Sequence, residues 1–323
     1  MNTPQWQPQC PRSIAERRAF FYQSIRKFFT ERDVLEVETP VLSCFGNTDP
    51  NIESFSTQGL QADHSRAFLR TSPEFFHKRL LASGWGDIFE ISKVFRSREH
   101  STIHNPEFTL LEWYRVNYSM DDLMWEMTDF IQYLCAIFAV SEPSIERYSY
   151  HSLFLEQLDI DPMLANVADL NAICQKYGYT GSDLNKNQCL DFLFALVVQP
   201  SLPLDSCVLI HNFPASQAAL AQIDPDHTDS ALRFEMVWKN MELANGYQEL
   251  ICPHEQQQRF EADNAQRLSN QQPELPMDEY LVASMHHGLP ACSGVAVGLD
   301  RLLMCLLDLQ QLSDVMPFPA DRA

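Results

Sequence analysis

The sequence predicts an α+β fold, and three observations carry that prediction. Residues 104–115, His-Asn-Pro-Glu-Phe-Thr-Leu-Leu-Glu-Trp-Tyr-Arg, alternate polar and apolar side chains, the period of a half-buried strand. The run Ile88–Phe95 is a second strand, and residues 97–107 join the two as a long hairpin loop. A second hairpin is centred on Lys239-Asn240, and helical spacing marks residues 14–28, 120–139 and 188–198.

The 323 residues, 45% of them hydrophobic, are enough to bury a large core. Residues 1–11 read as a polar leader and 12–323 as a single domain. No stretch approaches the roughly 20 apolar residues of a membrane span, and the start carries no apolar signal segment. Nine cysteines without a Cys-x-x-Cys spacing give no zinc pattern and suit reduced thiols in a cytoplasmic protein. The formal charge is −20, with 23 Lys and Arg against 43 Asp and Glu. Nucleic acids are held largely through phosphate contacts from basic side chains, so that balance argues against a tRNA partner.

In chain order, Ser13-x-x-Glu16 reads as a capping box opening a helix whose apolar face is Ile14, Phe21, Ile25 and Phe28. The helix should stop near Asp33, and Val34–Pro40 follows as a short strand ended by proline. Thr71-Ser72-Pro73-Glu74 opens a helix from Glu74 to about Ala82, with Ser72 or Thr71 as cap and Pro73 in the first turn. In the strand 104–115, Phe108, Leu110, Glu112 and Tyr114 share one face. They offer an aromatic plane, a carboxylate and a phenol in a row, as a base and an amine would need. Helices follow at Met120–Ala139 and Gln188–Val198. His151 and the pair His286-His287 read as surface or packing histidines, since no ligand at metal spacing accompanies them.

The segment 233–249 repays geometric reading. With Lys239-Asn240 as a two-residue turn, Trp238 opposes Met241, Val237 opposes Glu242, and Glu235 opposes Ala244. Glu235 and Glu242 then become diagonal neighbours with Cβ atoms about 7 Å apart. Carboxylates so placed can bracket a hard cation such as Mg²⁺ carrying phosphate oxygens. Glu249 lies seven positions beyond Glu242, which puts it on the opposite face of an unbroken strand. A β-bulge at Asn245-Gly246 would bring it back. Near the end, Cys292–Gly298 is a strand thinned by Gly294, Ala296 and Gly298, and an apolar helix (Leu302–Leu309) follows Arg301.

An arginine entering a hairpin loop (Val94-Phe95-Arg96), with an aromatic and a carboxylate returning from it, resembles motif 2 of class II aminoacyl-tRNA synthetases. The helix, strand and proline before Pro40 resemble motif 1, the dimer-forming element. The segment 292–301 resembles motif 3. The His-Asn-Pro-Glu-Phe wording points to the lysyl branch, and the likeness runs from about residue 12 to 323. It implies an antiparallel sheet of about six or more strands flanked by helices, and a homodimer. Lysyl-tRNA synthetases place an anticodon-binding OB-fold ahead of motif 1; here motif 1 begins within the first 40 residues, so no such domain is expected.

Two segments, 213–222 and 255–261, look like the β-lysyl ligases that modify elongation factor P. Ala296 stands where lysyl-tRNA synthetases usually carry glycine. One methyl in a pocket floor shifts discrimination by about 1–3 kcal/mol, in a direction that suits a β-amino acid. The resemblance implies ATP as substrate, Mg²⁺ as cofactor, (R)-β-lysine or lysine as the amino acid, and elongation factor P as acceptor. It makes Arg96 and Arg301 the catalytic arginines and Glu235 and Glu242 the metal ligands. The nucleotide site would comprise Arg96, Ser97, Arg98, Glu99, Asn105, Phe108, Glu242, Leu243, Gly298 and Arg301. The amino-acid site would comprise Ser72, Pro73, Glu74, Glu112, Tyr114, Asn245, Glu249 and Ala296.

One departure stands out. The family's motif 2 reads Phe-Arg-x-Glu, whereas this chain reads Phe95-Arg96-Ser97-Arg98-Glu99. Either Glu99 reaches the adenine from a shifted loop, or ATP binding is altered. A tRNA-directed enzyme would need a basic groove, which the charge opposes. A non-catalytic paralogue would be expected to lose the ATP arginines or metal carboxylates, and all four are present.

Overall fold

The computed structural model describes residues 6–58 and 66–323; the first five residues of the polar leader lie outside them. Helix α1 (Arg12–Thr30) buries Phe21, Ile25 and Phe28 completely, as the helical spacing predicts. Its start differs from expectation. Pro11, extended at φ −70° and ψ 158°, feeds the helix directly, so Ser13 already lies inside the first turn and caps nothing. Glu16 instead pairs with Arg12 at 2.9 Å. The chain leaves the helix through Asp33 at φ 56°. The strand expected over 34–40 shortens to β1 (Leu35–Glu36), because Thr39 turns its hydroxyl inward onto Glu90.

Strands β2 (Leu42–Ser43), β3 (Ser56–Gln58) and β4 (Arg66–Leu69) form a small antiparallel sheet. Helix α2 (Glu74–Ala82) follows, with the bounds that the sequence predicts. Strands β5 (Ile88–Phe95) and β6 (Glu107–Val116) then pair from Ile88↔Tyr114 to Phe95↔Glu107. Helix α3 (Met120–Phe138) is opened by a Ser119–Asp122 capping box and closed by Ala139 in the left-handed region. Next come β7 (Ser144–Ser149), α4 (Tyr150–Leu158), α5 (Val167–Lys176) and α6 (Lys186–Leu193). A π-turn over Phe194–Val198 and the short α7 (Gln199–Ser201) lead into β8 (Ser206–Pro214). The hairpin β9 (Ser230–Trp238) and β10 (Met241–Gln248) precedes α8 (Pro253–Ser269) and α9 (Glu279–Gly288). Strand β11 (Cys292–Gly298) and α10 (Leu299–Leu307) follow, with a 3₁₀ turn at Leu312–Asp314 after them.

Eight strands join in the order β1-β5-β6-β11-β10-β9-β8-β7. The five inner pairings are antiparallel, and only the edge pairs β1–β5 and β7–β8 are parallel. Period-2 alternation gives the sheet two distinct faces. Trp113, Phe234, Met236 and Val295 point into a core shared with Phe21, Phe28, Phe130 and Leu303 of α1, α3 and α10. The opposite face meets Leu81, Phe260, Leu281 and Met285 of α2, α8 and α9 at one end. The polar residues of the same strands are left between these helices, where a cavity opens.

Candidate active site

Sheet register, not sequence proximity, assembles the polar floor. Glu235 pairs with Asn245, Asn245 with Ala296, Ala296 with Glu112, and Glu112 with Glu90. One rank of the sheet therefore carries three carboxylates, an amide and a single methyl. The next rank holds Arg233, Tyr247, Gly294 and Tyr114. A Cβ at Gly294 would overlap both the Tyr114 ring and Glu249 Oε1, so glycine is what lets those groups converge.

The Lys239-Asn240 turn forms as expected, with φ 50° and 59° and Trp238 opposite Met241. The bulge does not fall at Asn245-Gly246. The register slips between Glu242 and Ala244, around Leu243, so Glu235 faces Asn245 and not Ala244. Gly246 sits in regular pairing, and a Cβ there would overlap the Phe234 ring; its role is close packing, not bulging. The earlier slip has the same consequence for parity, since Glu242, Asn245, Tyr247 and Glu249 all border one cavity.

That cavity has a volume of about 560 Å³ and runs from Glu74, Glu112 and Glu249 at one end to Arg96, Phe108 and Arg301 at the other. At the acidic end, Glu112 accepts from Ser72 Oγ at 2.7 Å and from the Tyr114 hydroxyl at 2.8 Å. Ser72 Oγ also accepts from the Glu74 amide at 3.0 Å, but the cap position is Pro73, without a side-chain cap, so, contrary to the sequence prediction, neither Ser72 nor Thr71 caps α2. Lys78, fully buried, lies 2.7 Å from both Glu74 and Glu249. Burial alone would lower the Lys78 pKa; Glu249 and Glu74 reverse that and raise it. Burial pushes Glu249 up to about 8, with Lys78 pulling down and Glu74 pushing up. Glu249 Oε1, on the side away from Lys78, and Asn245 Oδ1 have no hydrogen-bond partner, although each atom is buried. Unpartnered buried acceptors are costly, and this cluster suits a cationic ligand with several N–H donors.

At the other end, the Arg96 guanidinium lies 5.2 Å from the Phe108 ring centroid and 3.6 Å from Glu99. Arg98 adopts φ 69°, which turns its side chain to solvent, and the Ser97 amide is spent on Glu53 O at 2.7 Å. Contrary to expectation, Ser97 and Arg98 therefore leave the cavity wall, and Glu99 stands in it. Pro73, at the helix start, and Glu235 also stand outside the wall. Glu235 instead binds Arg233 at 2.5 Å. Asn105 lines the cavity, but its amide is committed: Nδ2 donates to Glu107 O and Oδ1 accepts from Ala320 N. Arg301 donates to Ile103 O and Glu242 O and lies 2.6 Å from His104 Nε2. Burial and the Arg301 charge lower the His104 pKa, leaving a neutral ring that accepts from the guanidinium. Asp300, bound to Arg18 and to the Thr109 amide, fixes the start of α10 and so the base of Arg301.

Glu235 is pushed up to about 7 by burial and by the neighbouring Glu242, with Arg233 opposing. The oxygens of such a carboxylate pair have the hardness that suits a divalent cation.

A sequence model of the class II tRNA synthetases for Asp, Lys and Asn matches residues 7–322. The elongation factor P–(R)-β-lysine ligase of Haemophilus influenzae strain PittGG is 43% identical over 322 residues, 98% of each chain. The proteins of that name in Hamiltonella defensa and Pectobacterium carotovorum are 43% and 41% identical, over 98% and 99% of each chain. The chain belongs to the class II tRNA synthetase family. Within it, these full-length relatives are all ligases, which favours an enzyme over a non-catalytic binding module.

Against the family frame, several cavity residues escape sequence reasoning. Lys78 stands four residues after Glu74, which reads as a helix-surface pair; its second partner, Glu249, is visible only in three dimensions. The stretch Ala215–Leu220 supplies backbone and small side chains to the wall. Arg259 holds it by donating to Ala219 O and Ala221 O at 2.6 and 2.8 Å. Tyr247 and His104 enter the wall only because the bulge and the loop turn them inward.

Proposed function

We propose that the protein is an ATP-dependent, AMP-forming ligase that adenylates (R)-β-lysine, or lysine, and transfers it to a lysine side chain of elongation factor P. The observation that carries this reading is the continuity of an acidic end with an arginine-bearing end in one cavity. The names of the relatives support the same acceptor.

Glu112, Glu249 and Tyr114 would receive the substrate ammonium groups, with Glu74 assisting and Asn245 Oδ1 as a further acceptor. The substrate carboxylate attacks the α-phosphorus of ATP, and pyrophosphate leaves. Arg96 would neutralise charge on the α-phosphate and the carboxylate, and Arg301 charge on the γ-phosphate. Phe108 offers a stacking face for adenine. A lysine ε-amine of the acceptor then attacks the mixed anhydride, AMP leaves, and the amine's proton passes to solvent. Mg²⁺ held by Glu235 and Glu242 would supply charge neutralisation on the phosphates. The protein's work is positioning and charge stabilisation.

Ala296, between Asn245 and Glu112 in the rank, would set the discrimination between α- and β-amines. A homodimer through α1 and β1 accords with the apolar exposure of Phe20 in α1 and Leu35 in β1. Action in the cytoplasm and independence from tRNA accord with the charge of −20; among the described residues no helix is long and apolar enough to cross a membrane.

The test is the intact mass of unmodified elongation factor P after incubation with the protein, Mg-ATP and (R)-β-lysine, with α-lysine in parallel. An increment of one lysyl residue, larger with β-lysine, is expected. No increment despite amino-acid-dependent pyrophosphate exchange would refute the acceptor and direct the search to tRNA. Absence of both signals would refute the ligase.

A further inference from the structure

His77 is fully buried in α2 and has no part in the chemistry above. Its ring meets Tyr114 edge-on, with centroids 5.4 Å apart. Nε2 lies 3.0 Å from Glu90 Oε2. Nδ1 lies 3.6 Å from Glu112 Oε1 and has no hydrogen-bond partner. An ionised carboxylate only accepts, so a ring between two of them satisfies both only with protons on both nitrogens. The far carboxylate is tied down independently. Glu90 accepts from Thr39 Oγ1 at 2.7 Å and from Arg70 Nη2 at 2.8 Å. The near one, Glu112, lines the cavity; its Oε2 accepts from Ser72 and its Oε1, the oxygen facing His77, accepts from Tyr114.

We propose that His77 is a positioning residue for the amino-acid substrate: anchored on Glu90, its imidazolium holds Glu112 in the pose that receives a substrate ammonium and offsets part of the pocket's acidic charge. The inference rests on the reading of Glu112 as an ammonium receiver. The charged and titratable groups facing His77 are Glu74 and Lys78 of its own helix, Glu90 of β5 with Arg70 behind it, and Glu112 and Tyr114 of β6. Helix α9, packed on α2, adds Leu281, Val282 and Met285 to the apolar cluster on that side. Burial alone would lower the His77 pKa, but the two carboxylates beside it, Glu112 and Glu90, outweigh burial and raise it.

The experiment is a double-mutant cycle in amino-acid-dependent pyrophosphate exchange on the full chain, with His77→Gln, Glu112→Gln and both together. H77Q should raise KM for the diamino acid about tenfold, the scale of one hydrogen bond to a charged group, and leave kcat within about twofold. In the E112Q background H77Q should have no further effect. An unchanged KM in H77Q, or a full effect persisting in E112Q, overturns the proposal while E112Q alone still raises KM. If E112Q leaves KM unchanged, the ammonium reading itself has failed, and the inference with it. Should H77Q not fold, ¹⁵N-histidine NMR of the unaltered protein decides. His77 should carry protons on both ring nitrogens at neutral pH, and its Nδ1–H signal should move when the diamino acid is added. A neutral or unresponsive ring refutes the role.

Discussion

Glu249→Gln isolates the charge of one carboxylate while keeping its shape, and its consequences follow from the local electrostatics. Burial and Glu74 raise the Glu249 pKa to about 8 despite Lys78. Without substrate, the group is therefore mostly protonated at pH 7 in the folded protein but ionised in the unfolded chain, so the glutamine variant should match the wild type in stability only below the ordinary carboxylate range and be the more stable protein at pH 7. The sign at higher pH is fixed by linkage. A carboxyl with a raised folded pKa binds its proton more tightly when folded, so its stabilisation is complete below the ordinary carboxylate range. That stabilisation is lost as pH rises through about 8. The variant has no such loss, so its advantage opens above the ordinary carboxylate range and is complete by about pH 8. Binding behaves oppositely. Ionising the group at pH 7 costs about 1.4 kcal/mol, which an ammonium–carboxylate hydrogen bond of about 1.5–3 kcal/mol plus direct charge attraction exceeds. E249Q should therefore raise KM for the diamino acid roughly 10–100-fold at pH 7. Wild-type affinity should increase toward pH 8 and the variant's should not, and calorimetry in buffers of different ionisation enthalpy should show proton release on binding only in the wild type. An E249Q protein with the wild-type pH profile would refute the reasoning.

Other perturbations probe the remaining parts. Ala296→Gly removes the one methyl between Asn245 and Glu112, and should shift the α- to β-lysine ratio in pyrophosphate exchange by about 1–3 kcal/mol toward α-lysine. Lys78→Met leaves Glu74 and Glu249 buried without their cation, and should destabilise by about 3–5 kcal/mol in denaturant unfolding above pH 8. Glu242→Gln should raise the Mg²⁺ concentration needed for half-maximal exchange by at least about tenfold, the effect expected even for an indirect metal contact. Gly294→Ala forces a methyl against the Tyr114 ring and Glu249; about 1–3 kcal/mol of stability should be lost, together with amino-acid binding.

What the sequence determined alone is local and periodic. Alternation over 104–115 put Phe108, Glu112 and Tyr114 on one face, the Ser-Pro-Glu start set α2 to the residue, and Lys239-Asn240 marked a turn whose two positive φ angles it adopts. Those features depend on side chains a few positions apart, so the chain's own chemistry carries them. The bulge was legible as a necessity but not as a place. Parity demanded an extra residue, yet whether Gly246 or Leu243 provides it depends on the Phe234 ring lying across the strand. The capping box failed for a related reason: Pro11 set the helix start before Ser13 could. Tertiary structure alone decided that Glu99 and not Arg98 faces the cavity, that Lys78 sits between Glu74 and Glu249, and that His77 stands between Glu90 and Glu112. Each pairing joins groups from different elements, and its energy comes from burial and charge contacts that exist only once the sheet has brought those elements together.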